Sequence, residues 1–511
     1  MLATTHSACL HGVTAQLVTV EANSGERGDP RIVLVGLPDA AVKEAMDRVR
    51  SSLTNSGYPL PRTRVTINLA PSDLRKEGSS FDLPIAVSLL GAMGKNGNPE
   101  MSEYLLAGEL SLSGEVRPIR GAIAMALLAK SMGMKGLILP TQSAKIASVV
   151  QGVSVFGVQS LSQTFDFLCG KIDLEPCNVA PSLPQNRISP NFVADFSDIK
   201  GQSNVRRAVE VAVAGGHNFL MVGPPGSGKS MVAKRVPSIL PPPRHDELLE
   251  ILNIFSSISE HENLNLDHCQ RPFRSPHHTT SDIGLIGGGT VPGPGEISLA
   301  HRGVLFLDEL PEFKRSALEV LRQPLEDGHV TISRSAGKIT LPAQFMLIAA
   351  MNPCPCGYLG SPDHSCRCSI PQIHKYRNRI SGPLLDRIDI HVEASAVKVE
   401  DLQNLERGES SQSMATRISD CRDIQQERYA SVTISTNSLI PDSLISEICE
   451  IKPNDALLLK KAMKDLSLSA RAYNRILKVS RTIADLAHSK YIEKIHLLEA
   501  IQYRSLDRKI I

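Results

Sequence analysis

Short apolar runs between glycine turns dominate the first third of the chain. Residues 32–36, 65–69 and 136–140 are runs of this kind, as is typical of strands. Between them, apolar residues recur every three to four positions over residues 39–52, which indicates an amphipathic helix. Strands that alternate with helices predict an α/β domain over residues 1–170.

The rest of the chain divides into a linker and two further segments. Prolines among polar residues make residues 171–190 typical of a linker. Residues 191–395 contain most of the chemical motifs, and we predict that they form a second α/β segment, the catalytic core of the protein. Over residues 396–511, apolar positions recur at helical spacing and predict a C-terminal helical domain. The helices predicted there cover residues 400–406, 413–429, 455–466, 470–488 and 494–503.

Composition and charge exclude several classes of protein. The chain has no run of about 18 apolar residues, so no segment is predicted to span a membrane. Ten cysteines among 511 residues are too few for a disulfide scaffold, and the N-terminus lacks the pattern of a secretory signal, so we expect a cytoplasmic protein. The net charge is only +2, so a nucleic-acid surface would need local basic groups.

One segment matches the phosphate-binding loop G-x-x-x-x-G-K-[ST] of nucleotide hydrolases. Its residues are Gly223, Pro224, Pro225, Gly226, Ser227, Gly228, Lys229 and Ser230. An apolar run precedes the loop and a helical pattern follows it, which places backbone N–H groups around a β-phosphate. We therefore expect ATP here, with Lys229 on the β- and γ-phosphates and Ser230 on Mg²⁺.

A second predicted strand ends in two acids. The apolar residues 304–307 are followed by Asp308 and Glu309, at the strand edge where open α/β sheets bind ligands. Asp308 is expected to hold the Mg²⁺ shell and Glu309 to activate the attacking water. An ordinary solvated acidic turn is the alternative. The next strand ends near Asn352, whose amide could orient that water.

Two arginines lie further along the chain. Arg387 belongs to the stretch 380–389, and Arg471 opens a helical pattern in the C-terminal segment. Taken alone, either is compatible with a surface salt bridge. Together with the preceding motifs, however, residues 191–511 resemble the magnesium-chelatase-like branch of AAA+ ATPases, and nearly the whole chain resembles the YifB/ComM family. The resemblance makes the helical segment 396–511 a C-terminal lid.

The resemblance implies a role for each motif residue. Asn352 corresponds to sensor 1, Arg387 to an arginine finger and Arg471 to sensor 2. Because a finger can complete the site of a neighbouring subunit, the resemblance implies a homo-oligomeric ring, a hexamer in this family. It also implies a DNA helicase that promotes branch migration during natural transformation. The alternatives are a chelatase-type metal-insertion motor and another remodelling AAA+ ATPase.

A predicted β-hairpin carries basic residues at its tip. Residues 328–341 alternate apolar and polar positions around a small-residue turn, and Arg334 and Lys338 flank that turn. The resemblance suggests that this hairpin grips DNA phosphates, which requires only Lys or Arg. An ordinary solvated hairpin is the alternative.

A long Gly/Pro-rich stretch separates the phosphate loop from the acidic pair. Residues 267–298 contain Arg274, His277 and His278, and loops of this length are uncommon unless they are functional. The resemblance makes this stretch an insert that faces the ring pore, with Arg274 as a candidate DNA contact. For the two histidines, a structural role is the alternative to a DNA or inter-subunit contact.

Two closely spaced C-x-C pairs predict a metal site. The four residues are Cys354, Cys356, Cys366 and Cys368. In a reducing compartment, such clustering favours tetrahedral Zn²⁺ over disulfides. The spacing departs from the usual C-x₂-C, so free thiols or a disulfide are alternatives, and His364 and His374 are substitute ligands.

The N-terminal α/β segment resembles the Lon-protease-type domain of the ribosomal S5-like superfold. The stretch 75–82 resembles the Lon nucleophile segment, with Ser80 at the place of the nucleophile. The Lon general base is a lysine, and Ile123 stands at the matching position. Because isoleucine cannot accept a proton from Ser80, we expect a binding or assembly role rather than peptidase activity.

Overall fold

A computed structural model describes residues 1–511 except 27–29, 37–38, 75, 77, 95–99, 179–193, 259–269, 290–292, 335–336, 362–363, 396–406, 431, 433, 467–468 and 505–511. The predicted helix 400–406 and most of the predicted linker therefore lie outside the described residues.

The strands fall mainly in the two α/β portions of the chain. They are β1 (Leu2–His11), β2 (Thr14–Glu26), β3 (Ile32–Val35), β4 (Arg64–Ala70), β5 (Tyr104–Leu106), β6 (Glu109–Leu110), β7 (Val116–Arg117), β8 (Gly136–Pro140), β9 (Val155–Val158), β10 (Phe219–Val222), β11 (Phe273–Arg274), β12 (Gly287–Gly288), β13 (Gly293–Pro294), β14 (Val304–Leu307), β15 (His329–Arg334), β16 (Gly337–Pro342), β17 (Met346–Met351) and β18 (Ile390–Glu393).

The helices alternate with these strands and then dominate the C-terminal part. They are α1 (Ala40–Asn55), α2 (Asp82–Ala92), α3 (Ala122–Ser131), α4 (Thr141–Ala147), α5 (Leu161–Leu168), α6 (Ser203–Gly215), α7 (Lys229–Arg235), α8 (His245–Ile258), α9 (Asp282–Ile286), α10 (Glu296–Leu299), α11 (Arg315–Glu319), α12 (Arg322–Asp327), α13 (Ile370–Arg377), α14 (Gly382–Leu385), α15 (Ser411–Arg428), α16 (Ile445–Ile448), α17 (Pro453–Asp465), α18 (Ala470–Leu486) and α19 (Lys494–Gln502).

The chain forms two compact units, and the division does not follow the order of the sequence. The first unit comprises Met1–Leu183 and His245–Cys269, and the second comprises Pro184–Arg244 and Gln270–Ile511. Helix α8 thus belongs to the first unit, although sequence position places it inside the predicted core of residues 191–395. The mixed α/β class predicted from the sequence is confirmed in both units.

In the first unit, seven of the described strands form one mixed sheet. Their order is β3-β4-β2-β1-β5-β8-β9. The long strands β1 and β2 pair antiparallel at the middle of this sheet, and β8 pairs in parallel with β5 on one side and β9 on the other. Side chains alternate between buried and partly exposed along β4, as expected for a strand with one face on the core.

Helix α8 completes the core of the first unit. Leu248 and Leu252 are buried in the same apolar cluster as Ile123 of α3. The backbone N–H of Gly121 donates to the carbonyl of Ser256 at 2.8 Å. The amide of Asn253 donates to the carbonyl of Val13 at 2.8 Å. Apolar packing and buried hydrogen bonds together fix this helix in the unit.

In the second unit, a five-stranded parallel sheet has the order β11-β14-β17-β10-β18 among the described strands. The central strands are buried along their whole length, as expected when helices cover both faces. The carboxyl ends of β10, β14 and β17 meet at one edge. Strand β17 lies between β10, which leads into the phosphate loop, and β14, which leads into the acidic pair.

The C-terminal helices belong to the second unit. Ile418 of α15 and Ile483 of α18 are buried in the same apolar cluster as Val209 of α6 and Phe219 of β10. The helices predicted over residues 413–429, 455–466, 470–488 and 494–503 are confirmed as α15, α17, α18 and α19. Their role as a lid stays a prediction.

The helices in the described part of the chain are too short or too polar to cross a bilayer.

Candidate active site

The phosphate loop follows β10 with a backbone that requires glycine at several positions. Gly226 and Gly228 each have a φ of +77°, the left-handed region that favours glycine. A Cβ on Gly223 would lie 2.2 Å from the carbonyl oxygen of Ala394. Close backbone packing at Gly223 and the positive φ of two glycines therefore shape the loop before α7 begins at Lys229.

The amine of Lys229 lies inside the loop. Its Nζ donates to the carbonyls of Gly223 at 2.7 Å and Pro224 at 2.9 Å, and lies 3.3 Å from Oδ1 of Asn352. Burial lowers the pKa of Lys229 to about 8, although the charge of Asp308 acts in the opposite direction. The polyanionic phosphates of a nucleotide would favour its charged form.

A pair of oxygen donors suited to Mg²⁺ joins α7 to the end of β14. Ser230 Oγ donates to Asp308 Oδ2 at 2.5 Å. Hydroxyl and carboxylate oxygens are the ligands that Mg²⁺ prefers, and it commonly keeps several waters besides. The two predicted Mg²⁺ ligands are therefore adjacent and fit the ion.

Glu309 is held in an unusual backbone conformation beside Asp308. Its φ is +52°, and its backbone N–H donates to Asp308 Oδ1 at 2.9 Å. His278 Nδ1 lies 3.4 Å from Glu309 Oε2. The ring of His278 in turn packs on His277, with the ring centres 4.1 Å apart. The sequence offered two adjacent histidines as a signal, but not the contact of His278 with Glu309.

These groups line one cavity of about 360 Å³. Its wall includes Pro225, Lys229, Ser230, Asp308, Glu309 and Asn352. The predicted phosphate loop, acidic pair and Asn352 thus meet in one place. The arrangement can bind a nucleotide phosphate, hold a divalent cation and offer a carboxylate to a water.

The two predicted arginines are not among the described residues that line this cavity. Arg387 is almost buried, donates to the carbonyl of Pro383 at 2.7 Å and is paired with the carboxylate of Glu326. Arg471 is exposed. The Arg387 guanidinium, assisted by the charges of Arg471 and Arg475, lowers the pKa of Glu326. Both arginines therefore lie near Glu326 rather than in the cavity of their own chain.

The candidate DNA contacts differ in availability. Arg274 donates from two nitrogens to both carboxylate oxygens of Glu296, each at 2.7 Å, so a phosphate would have to displace that carboxylate. The predicted hairpin is confirmed, because β15 and β16 pair antiparallel with Ser333 opposite Lys338. Lys338 is exposed, whereas the side chain of Arg334 lies outside the described part of the chain.

The four cysteines after Asn352 come together as predicted. The Sγ of Cys354 lies 3.4 Å from that of Cys356 and 3.7 Å from that of Cys366, and the latter two lie 3.6 Å apart. With Cys368, all four sulfur atoms lie within 4.8 Å of one another. A Zn–S bond of about 2.3 Å gives tetrahedral edges of about 3.8 Å, so these sulfur atoms fit a Zn²⁺ site.

Two of the positions compared with Lon, Ser80 and Ile123, lie in the described part of the first unit. Ile123 is fully buried in α3, within the apolar cluster that α8 completes. The carbonyl of Ser80 accepts a hydrogen bond from the backbone N–H of Gly108 at 3.0 Å. Arg75 and Glu77 of the resembling stretch lie outside the described residues.

The parallel sheet of the second unit, with its phosphate loop, acidic pair and Asn352, defines a P-loop nucleotide hydrolase of the AAA+ type. Comparisons with known proteins agree. "Magnesium chelatase, subunit ChlI" matches residues 195–402, "Subunit ChlI of Mg-chelatase" matches residues 20–143, and "Magnesium chelatase, subunit ChlI C-terminal" matches residues 408–504.

Individual relatives narrow the family. Competence protein ComM of Haemophilus influenzae is 44% identical over 509 residues, which cover 99% of this chain and 98% of that relative. The uncharacterised protein YifB of Salmonella typhimurium is 43% identical over 511 residues, 100% of this chain and 98% of that relative. The chain belongs to the YifB/ComM family of magnesium-chelatase-like AAA+ proteins, for which ATP and Mg²⁺ are the implied ligands.

Part of the chain is also similar to Lon proteases. The Lon protease of Elusimicrobium minutum is 26% identical over 145 residues, which cover 28% of this chain and 17% of that protein. The Lon-like character expected for the first unit is thus supported as a partial homology.

Proposed function

We propose that the protein is an ATP-driven, ring-forming DNA motor, a helicase that promotes branch migration during natural transformation in the cytoplasm. One observation carries the proposal: a pocket lined by Lys229, Ser230, Asp308, Glu309 and Asn352 lies in a chain 44% identical, over nearly its full length, to a competence protein. ATP hydrolysis is the chemistry that this pocket supports best.

Five residues of the pocket have a proposed task in hydrolysis. Lys229 stabilises charge on the β- and γ-phosphates, and Ser230 and Asp308 hold Mg²⁺, which neutralises phosphate charge. Glu309 accepts a proton from the attacking water, and Asn352 holds that water in line. The pocket contributes position and charge, the two requirements of phosphoryl transfer.

The positions of two arginines outside the pocket support the proposed ring. Arg387 and Arg471 lie together near Glu326, and neither lines the cavity of its own chain. We infer that both act on the cavity of a neighbouring subunit, with Arg387 as the finger and Arg471 as sensor 2. Glu326 keeps the finger ordered until a partner's nucleotide phosphates replace it.

DNA contact is assigned to the hairpin β15–β16. Lys338 is exposed on β16 near the turn, and Arg334 ends β15. Basic residues at a hairpin tip contact phosphates without reading sequence, which suits a motor that moves along any DNA. Arg274 is a further candidate, and its guanidinium would have to leave Glu296 to contact a phosphate.

Branch migration on a synthetic four-way junction tests this function. Wild-type protein with ATP and Mg²⁺ is expected to convert labelled junctions into two duplexes. Glu309→Gln should still bind ATP and DNA but leave the junctions intact, because it lacks the base. Migration that proceeds equally without ATP, or none under any condition, would contradict the proposal.

A metal-insertion motor is the second candidate, since all three family matches carry the magnesium chelatase name. That function would use the same ATP site together with a separate metal-binding partner protein. It predicts ATPase stimulation by such a partner and none by DNA.

We further propose Zn²⁺ as a structural ion at the four cysteines.

A further inference from the structure

The cysteine cluster lies directly against the phosphate loop. Gly357, which follows Cys356, has a φ of +85°, and a Cβ on it would lie 2.5 Å from Cδ and 2.7 Å from Cγ of Pro225. Real Cβ atoms do not approach other atoms this closely, so glycine is what allows this turn to lie against the ring of Pro225. Pro225 is part of the wall of the nucleotide cavity. The turn after Cys356 therefore supports the phosphate loop from outside.

A second connection runs through the end of β17. Cys354 is buried and follows Asn352 by two residues. Asn352 Oδ1 lies 3.3 Å from Nζ of Lys229 in the cavity. On the other side, Nε of Arg377 in α13 donates to the carbonyl of Pro353 at 3.2 Å. The cysteine segment is thus connected to the cavity at two separate places.

We propose that a Zn²⁺ ion bound by the four thiolates positions the nucleotide site, so that zinc occupancy sets the affinity for ATP. The inference rests on the proposed function, because it assumes that this cavity binds ATP. Coordination removes the protons of the four thiols to solvent and leaves four sulfur–zinc bonds. The ion links the two cysteine pairs and so holds the turn at Gly357 against Pro225.

Nucleotide binding by the full-length protein tests the coupling directly. Zinc content is measured by metal analysis, and affinity for a fluorescent ATP analogue is measured in excess Mg²⁺ without DNA. We expect about one zinc ion per chain. Removal of zinc by a zinc-selective chelator should weaken binding about tenfold, which corresponds to a loss of about 1.4 kcal/mol when the phosphate loop loses its support. Added zinc should restore the affinity.

A matched pair of glycine variants separates coupling from folding. Gly357→Ala keeps all four cysteines but pushes a methyl group against Pro225. Gly360→Ala imposes similar backbone strain, since Gly360 has a φ of +79°, but its Cβ would meet nothing within 4 Å. Both variants should retain zinc. Only Gly357→Ala should lose about tenfold in ATP affinity, as the displacement of Pro225 requires.

Three results would overturn the inference: zinc-free protein with full affinity, unchanged affinity after zinc removal, or equal affinity of the two glycine variants. Its failure is distinguishable from failure of the proposed function. Zinc-dependent ATP binding without branch migration would contradict only the DNA motor. Zinc-loaded wild-type protein that binds no ATP would contradict both.

Discussion

Among the residues of the proposed site, Glu309 combines a positive φ with two polar contacts. A positive φ at a residue with a side chain costs about 1 kcal/mol or more and persists where neighbours hold it. Here the N–H of Glu309 donates to Asp308, and His278 lies beside its carboxylate. His278 is therefore a positioning residue for the general base that we propose.

Replacement of His278 tests that role. In His278→Ala the carboxylate of Glu309 loses its neighbour, and kcat for ATP hydrolysis should fall about fivefold, a fraction of what general-base catalysis contributes. KM should change little, because the phosphate contacts remain. His278→Asn, whose Nδ2 can stand near the position of the lost Nδ1, should recover most of the rate.

The neighbouring histidine is the control. His277→Ala removes the ring that packs on His278 but leaves the contact between His278 and Glu309 in place, since His277 Nδ1 pairs with Thr279, so kcat should stay within about twofold of the wild-type value. Equal losses in both alanine variants, or a loss confined to KM, would show that His278 acts on local folding instead.

The sequence predicted the parts of the site that consecutive residues build. The phosphate loop and the acidic pair each combine an apolar strand with a short motif, so chain order alone locates Lys229 and Asp308. The His278–Glu309 contact was not predictable in this way. It depends on the pairing of β11 with β14, which brings two distant segments side by side.

At the scale of elements, the hairpin β15–β16 connects hydrolysis to DNA in the proposed mechanism. Arg334→Ala combined with Lys338→Ala should reduce stimulation of ATP hydrolysis by DNA severalfold, while the rate without DNA stays unchanged. The dependence of DNA affinity on salt should also weaken, by roughly one unit of slope for each lost phosphate contact.

A charge-matched control comes from another element. Lys460 and Lys461 are neighbours in α17, and their joint replacement by alanine removes the same net charge. If this variant loses DNA stimulation as fully as the hairpin variant, the effect is one of general charge and the assignment of the hairpin is wrong.

Helix α8 shows where chain order misleads. One face of this helix is apolar, but an apolar face does not by itself say against which part of the protein it packs. Its apolar face completes the first unit, although the helix lies between the phosphate loop and the acidic pair in sequence. Non-local packing of this kind cannot be read from periodicity alone.

Stability of the first unit should therefore depend on α8. Leu252→Ala should lower the free energy of unfolding by about 2–4 kcal/mol, because it empties a buried site. Leu249, which is only partly buried, is the control, and its replacement by alanine should cost less. Denaturant unfolding followed by a probe in the first unit measures both, and equal losses would contradict this packing.

At the scale of the whole molecule, the proposed site is shared between subunits. Arg387→Ala and Lys229→Ala should each abolish hydrolysis when tested alone, for different reasons. In mixtures, a subunit with an intact Arg387 can complete the cavity of a subunit with an intact Lys229. At equal amounts, random mixing should restore about a quarter of the wild-type rate.

This complementation distinguishes a shared site from a self-contained one. Arg387→Ala with full activity, or mixtures that stay inactive although the subunits exchange, would show that the arginine does not act across an interface. The family resemblance predicted an arginine finger at Arg387 that completes the site of a neighbouring subunit. The position of Arg387 beside Glu326, outside the cavity, is what the structure adds.

The most direct test of the DNA motor is the steady-state rate of ATP hydrolysis by the wild-type protein, with and without single-stranded DNA. We expect a low rate without DNA and a severalfold higher rate with it, and we expect Glu309→Gln to be inactive in both conditions. A wild-type rate that is the same with and without DNA would contradict the DNA motor.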